Sequence, residues 1–263
     1  MSQKATYLDR ILDHHRALAA NDDRSLADLV RRCEQMQAAR GFRVRLQMDA
    51  TQAIAVISEI KRKSPSKGLL RADLDPQFLA DAYQAGGASC LSVLTDEDFF
   101  AGSIEDLQIA AAACTLPVLR KDFTVSPHDV CDTRLMGADC VLLIAATLDP
   151  HELKDLHHLA TSIGLDVLVE IHDEAELEVA LFAEALLIGV NQRDLVTFEV
   201  DHHRALRMAE LIPSGVLRVA ESGVRGPADA LALHQAGYHA VLVGESLVTA
   251  DDPTGAVRAL RNL

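Results

Sequence analysis

The strongest constraint on this chain is a rhythm that begins near residue 53. Short apolar stretches alternate with longer segments rich in helix formers. The apolar stretches cover residues 53–60, 90–94, 116–119, 140–145, 167–171, 186–190, 217–220 and 240–243. Each is short enough for a strand and too continuous for one with a wet side, which is how strands covered on both faces read. Helical patterns fill 80–85, 105–113, 152–163, 174–183 and 228–236, and several end at Gly86-Gly87, Gly137, Gly164 or Gly237, where glycine suits a left-handed helix C-cap. Eight β-then-α units predict an α/β fold, a closed parallel (β/α)8 TIM barrel. An open doubly wound sheet would place a Gly-rich fingerprint after its first strand. Here that position reads Lys61-Arg62-Lys63-Ser64-Pro65.

The segment before the rhythm differs. Tyr7, Leu8, Ile11, Leu12 and Leu18 recur at helical spacing, Asn21-Asp22-Asp23 breaks the pattern, and Leu26, Leu29 and Val30 resume it behind Ser25 as N-cap. Residues 1–50 are expected to be a helical extension packed on the barrel, within one domain spanning 1–263. A packing collar is its simplest role; a part in the active site is the alternative. With hydrophobic residues at 49%, aromatics at 4% and no Trp, the core must be aliphatic. A net charge of -14 disfavours a nucleic-acid partner and an anionic membrane surface, but local cations and backbone N–H groups can still hold a phosphate. The five cysteines, Cys33, Cys90, Cys114, Cys131 and Cys140, form no CxxC pair, which argues against a disulfide framework or a zinc site. No apolar run is long enough to cross a membrane and the start of the chain is polar, so the expected compartment is the cytoplasm.

In such a barrel the chemistry lies at the C-terminal ends of the strands. Six predicted strand ends carry polar groups: Glu59-Ile60-Lys61, Arg120-Lys121-Asp122, Glu170, Asn191-Gln192-Arg193, Glu221-Ser222-Gly223 and Gly244-Glu245-Ser246. Strand alternation puts Glu59 and Lys61 on one side, where each orients the other. Lys121 is expected to have its pKa lowered by burial and by Arg120, and Glu170 to be tuned the opposite way by its apolar run; a plain ion pair is the alternative for Glu170. The Gly-bearing ends of the last two strands suit a phosphate.

Taken in order, these motifs resemble the indole-3-glycerol phosphate synthase family. They are residues 59–68, Leu91-Ser92-Val93-Leu94-Thr95-Asp96 with Phe99-Phe100-Ala101-Gly102-Ser103, residues 117–123, residues 137–144, Val169-Glu170-Ile171-His172, residues 189–195, residues 220–224 and residues 242–247. The resemblance spans nearly the whole chain. It implies conversion of 1-(2-carboxyphenylamino)-1-deoxyribulose 5-phosphate to indole-3-glycerol phosphate with loss of carbon dioxide and water, without cofactor or metal, by a monomer whose partner is this small phosphorylated substrate. It implies Lys121 as general acid in ring closure, with Glu59, Lys61 and Glu170 sharing proton transfer and Asn191 and Ser222 among the catalytic positions. Asn191 would hydrogen-bond the sugar hydroxyls or a catalytic carboxylate. Arg193 and Lys61 would compensate the anthranilate carboxylate. Ser64, Gly223, Gly244 and Glu245 would take the phosphate, Phe100, Phe123 and Leu195 would wall the aromatic ring, and Arg62 and Glu221 would also contact substrate. The chain departs from the pattern at Ala101, where a polar residue is usual, at Gln192, where Asn is common, and at His128, which replaces a frequent aromatic. None of these removes a proton-transfer group.

Three other readings compete. A phosphoribosylanthranilate isomerase would need a Cys at a strand end, and none sits there. A non-catalytic binder would not require the whole set Glu59, Lys61, Lys121, Glu170 and Asn191. The same chemistry could also serve a specialised metabolite rather than tryptophan.

Overall fold

A computed structural model of the chain describes residues 6–262. Helices α1 (Tyr7–Ala20), α2 (Leu26–Glu34) and α3 (Phe42–Asp49) precede strand β1 (Ala55–Ile60). A small antiparallel pair, β2 (Lys63–Ser64) and β3 (Gly68–Leu69), leads to α4 (Pro76–Gly86), β4 (Cys90–Leu94), α5 (Glu97–Phe100), α6 (Ile104–Ala113) and β5 (Val118–Lys121). Next come α7 (Pro127–Leu135), β6 (Cys140–Ile144), a 3-10 turn at Ala145–Thr147, α8 (Pro150–Ser162), β7 (Asp166–Ile171), α9 (Glu174–Phe182) and β8 (Leu187–Asn191). The chain ends with α10 (Arg204–Ala209), β9 (Leu217–Glu221), α11 (Pro227–Gln235), β10 (Ala240–Val243), α12 (Glu245–Val248) and α13 (Pro253–Arg261).

Eight strands close into a barrel in the order β1-β10-β9-β8-β7-β6-β5-β4, every pair parallel. Each predicted apolar run falls on one of them. The largest offset is at β5, which starts after Pro117 because proline cannot donate to a ladder, and which therefore carries Arg120 and Lys121 within the strand. Helix starts are written locally: Asp75, Ser103, Ser126, Asp149, Asp173 and Asp252 each accept from a backbone N–H of the first turn. Gly87, Gly137, Gly164 and Gly237 all have φ between 84° and 95°, as a left-handed helix exit requires.

Alternation along each strand sorts the residues. Val56, Val93, Val118, Val141, Val169, Val190 and Val241 face the helices and join one core cluster. Ala55, Ile57, Cys90, Leu119, Cys140, Leu142, Leu168, Leu187, Val219 and Leu242 fill the barrel interior and form a second. The sequence reading separates two helices before β1; the described residues there form three. The third, α3, sets Phe42 and Leu46, both fully buried, into the interior cluster, and the Cys90 thiol donates to Phe42 O. It plugs the N-terminal end. Helix α2 packs on α7, where Cys33 Sγ donates to Cys131 O and Arg24 bridges to Asp132 at 2.7 Å. Helix α1 lies at the other end: Tyr7 meets Phe99 and Phe198 edge-on, and His15 Nε2 lies 2.9 Å from Asp96 Oδ2. Among the described residues no helix is long and apolar enough to cross a membrane.

Candidate active site

The inward parity that fills the lower barrel with aliphatic groups carries polar ones near the strand C-termini. A cavity of about 450 Å³ opens there. Its lining includes Glu59, Lys61, Ser64, Phe100, Lys121, Phe123, Glu170, Asn191, Arg193, Leu195, Glu221, Ser222, Gly223, Gly244 and Glu245. Arg62 is the exception among the residues singled out from the sequence. Its guanidinium turns outward, clasps Asp106 with bonds of 2.7 and 3.0 Å and donates to Leu74 O at 2.7 Å, so it anchors the β1 exit and does not line the cavity. Parity explains this, because Ile60 and Arg62 share the outward side.

Two ammonium–carboxylate pairs stand on the floor. Lys61 pairs with Glu59, and Lys121 Nζ lies 3.4 Å from Glu170 Oε2. Asn191 Nδ2 donates to the other Glu170 oxygen at 3.0 Å, while Asn191 Oδ1 accepts from Arg193 N. Burial pulls the Lys121 ammonium down, but Glu170, Glu221 and Glu59 around it outweigh burial and hold it above its ordinary range. This corrects the expectation of a lowered pKa. Arg120, invoked to lower it, points to the helix side and is spent on Thr95, Asp122, Asp129 O and Thr133.

The carboxylates are also sorted differently from the sequence expectation. Burial pushes Glu170 up, yet Lys121, His172 and Asn191 bring it below the usual range. Glu221 is the one driven well above it, by burial first and then by the Glu170 charge. Glu221 Oε1 is buried with no donor among the described residues. Asn191 pairs in register with Glu221, as Glu170 does with Gly189, and the Glu221 side chain lies across Gly189 to reach Glu170. A Cβ on Gly189 would sit 1.9 Å from Glu221 Oε1. The cavity therefore holds an ionised acceptor, an ammonium and a proton-bearing acid side by side.

One wall is apolar: the Phe100 and Phe123 rings lie 6.2 Å apart, and Phe123 and Leu195 pack on the interior cluster. Behind Phe123 stands the His15 ring, 5.7 Å away. The opposite side is formed by the ends of β9 and β10. Ser222 has φ 62° and its carbonyl accepts from Gln192, which gives that departure a positioning role. Gly244 makes room for the β1 pair, since a Cβ there would lie 2.2 Å from Glu59 Oε2 and 3.1 Å from Lys61 Nζ. Glu245 Oε1 is 3.6 Å from Lys67 Nζ, which lies over the same region. The Ala101 departure takes a left-handed C-cap at φ 53°, and His128 contacts Arg24 O on the surface rather than the cavity.

Several lining residues escape the sequence reading: Asp96, Lys67, Phe198, Val200, His202 and Arg225. Lys67 lies inside the basic loop after β1, and Asp96 directly follows β4, so both had a positional signal. Phe198, Val200 and His202 enter from the long connection after β8, which carries none.

Comparison with known proteins agrees with this arrangement. A family model described as indole-3-glycerol phosphate synthase matches residues 8–260. The chain is 48% identical over 235 residues to the indole-3-glycerol phosphate synthase of Bordetella pertussis, covering 89% of this chain and 90% of that one. It is 52% identical over 206 residues to the enzyme of the same name from Polaromonas naphthalenivorans, covering 78% of each. Among solved structures, an N-acetylmannosamine-6-phosphate 2-epimerase from Clostridium perfringens superposes with a TM-score of 0.59 at 13% identity, over 76% of this chain and 90% of that one. A thiamine phosphate pyrophosphorylase from Pyrococcus furiosus does so with a TM-score of 0.58 at 14% identity, over 81% and 95%. Those two share the barrel, whereas the sequence matches extend through the polar strand ends that build the cavity, and the chain belongs to the indole-3-glycerol phosphate synthase family.

Proposed function

We propose that this chain closes the indole ring of indole-3-glycerol phosphate from 1-(2-carboxyphenylamino)-1-deoxyribulose 5-phosphate. The observation that carries the reading is the juxtaposition of the raised Lys121 ammonium, the ionised Glu170 and the apolar Phe100–Phe123 wall in one cavity. The aromatic ring lies on that wall with its ribulose carbonyl toward Lys121. As the ring carbon attacks, the carbonyl oxygen gains negative charge, and Lys121 donates a proton to it while Glu170 and Asn191 hold the amine in place. Arg193 balances the substrate carboxylate until it departs as carbon dioxide, a departure favoured where the wall keeps water away. The hydroxyl then leaves as water, with the Lys61–Glu59 pair at hand to supply and remove protons and the Glu221 carboxyl as a further proton source.

The phosphate goes to the backbone N–H groups around Gly223 and Gly244, with the Ser64 hydroxyl and Lys67 beside them. Glycine lets the main chain approach an anion closely, and the first N–H groups of α12 have no acceptor in their own helix. Glu245, tied to Lys67, and Ser222, with its strained backbone, shape this loop pair. A monomer acting in the cytoplasm completes the reading. Incubating the purified protein with the substrate and following indole fluorescence tests it: fluorescence should rise with turnover, and its absence under conditions where a known family member turns over overturns the proposal.

A further inference from the structure

Beside the cavity, one buried ring nitrogen points at the floor without a partner. His172 Nε2 is buried, has no hydrogen-bond partner among the described residues, and lies 3.6 Å from Glu170 Oε1. Its other nitrogen, Nδ1, is 3.0 Å from Glu176 Oε2, and that same oxygen accepts from His172 N at 2.7 Å. Glu176 sits in the first turn of α9 with its side chain 19% exposed, so its carboxylate reaches water. On the inner side Glu170 Oε2 meets Lys121 Nζ at 3.4 Å. Carboxylate, imidazole, carboxylate and amine thus stand in file from the surface to the cavity floor.

The proposed reaction needs such a file. The former carbonyl oxygen takes two protons and leaves as water, the methylene carbon beside nitrogen loses one, and the ionised carboxylate leaves as carbon dioxide. One proton is therefore taken up from solvent in every turnover. Imidazole can accept a proton on one nitrogen and release one from the other. We propose that His172, held by Glu176, is the relay that returns this proton to Glu170 and thence to Lys121. The inference rests on the functional reading above. His172 acts through Glu170 and touches no substrate atom.

The groups facing His172 are Glu170 from β7, Glu176 from α9 and Arg204 from α10. Burial pulls the imidazole down and Arg204 adds to that, but Glu176 and Glu170 leave it above its ordinary value. It holds its proton to a higher pH than a free imidazole does and sheds it as pH rises further, so the relay weakens with rising pH.

Lys121 is protonated in the resting enzyme, so the first ring closure does not need the relay, while each later one needs the proton that the relay returns. In His172→Ala, single-turnover ring closure should keep the native rate while steady-state kcat falls about tenfold or more, less than the roughly 10²–10⁴-fold of a group that transfers a proton to the substrate directly. KM should change little, the loss should shrink in alkaline buffer, where the native relay itself weakens, and added imidazole, which fits the vacated space, should restore turnover. Glu176→Gln leaves every cavity residue in place and should show the same split more mildly; it serves alone if His172→Ala does not fold. Native steady-state rates in the folded variants, equal losses in the first and later turnovers, or no response to imidazole overturn the relay. If the native protein itself makes no indole, the functional reading falls first and the relay with it.

Discussion

Below its midpoint, the barrel interior is Ala55, Ile57, Cys90, Cys140, Leu187 and Ala240, closed from beneath by Phe42 and Leu46 of α3. Above it, five of the barrel strands turn Glu59, Lys121, Glu170, Asn191 and Glu221 inward at the parity that lower down carries Ile57, Leu119, Leu168, Leu187 and Val219. The lower end gains by removing apolar surface from water, about 25 cal/mol for each Å² buried. The upper end desolvates three carboxyl groups and two ammoniums, and such buried pairs contribute little net stability even when well formed. One end thus stabilises the fold and the other holds groups that the fold must support. The contrast teaches that within one strand the residue at a given parity packs the core near the N-terminus and presents an ionisable group to the cavity near the C-terminus, with about two residues between the regimes, as from Leu168 to Glu170 or Leu119 to Lys121.

The comparison can be broken most forcefully from below. Phe42→Ala empties a fully buried site at the closed end and should cost about 3–5 kcal/mol of stability, as large aromatic truncations do. The activity per folded molecule should remain near native. A urea melt paired with turnover at a temperature where the variant stays folded checks both halves, and a matching loss of specific activity would mean the ends are not separable.

From above, Lys121→Met keeps most of the side-chain volume and removes the proton. Turnover should fall at least about 10²-fold, as for loss of a general acid, with substrate binding and melting temperature changed far less. The melting temperature and the single-turnover rate, taken on one sample, decide it. A folded variant with near-native turnover would remove Lys121 from the chemistry and leave Lys61 as the next acid.

A smaller effect is expected at the junction of β10 with its loop. Gly244→Ala meets no backbone barrier, since φ is -116°, but its Cβ must push the Glu59 carboxylate away from Lys61. Turnover should fall about tenfold, equivalent to about 1.4 kcal/mol of barrier, with a minor change in melting temperature. An unchanged rate would show that the Glu59–Lys61 geometry is not critical.

The lower end and the strand count were legible in the sequence because both depend on short-range pattern. A strand covered on both faces must be continuously apolar, and all eight barrel strands left that mark. Helix α3 did not separate itself, since only Phe42 and Leu46 of its eight residues are buried. The two-residue strands β2 and β3 are too short to leave any periodicity. At the upper end, residue identity was legible and protonation was not. Alternation alone would have set Arg62 and Arg120 on the outer side; adjacency in sequence to Lys61 and Lys121 misled. Whether Glu170 or Glu221 bears the proton depends on Lys121 from β5, Asn191 from β8 and His172 just past β7, and no local pattern encodes how these three converge.

The carboxyl sorting gives the smallest and most specific effect. Glu221 has its folded pKa raised by burial and by Glu170, so the folded protein binds its proton more tightly than the unfolded chain does. Its contribution to stability is fully present below the ordinary glutamate range and is lost as pH rises through the raised folded value. Glu221→Gln cannot ionise, and its amide can donate to Glu170 as the protonated acid does. The variant should therefore match the native protein in acid and exceed it in mildly alkaline buffer by on the order of 1 kcal/mol, the ordinary size of a single-residue effect. Melting curves of both proteins across pH read this directly. If the two curves run parallel at every pH, the excess proton is not on Glu221, and the ionised member of the pair must be sought there instead of at Glu170.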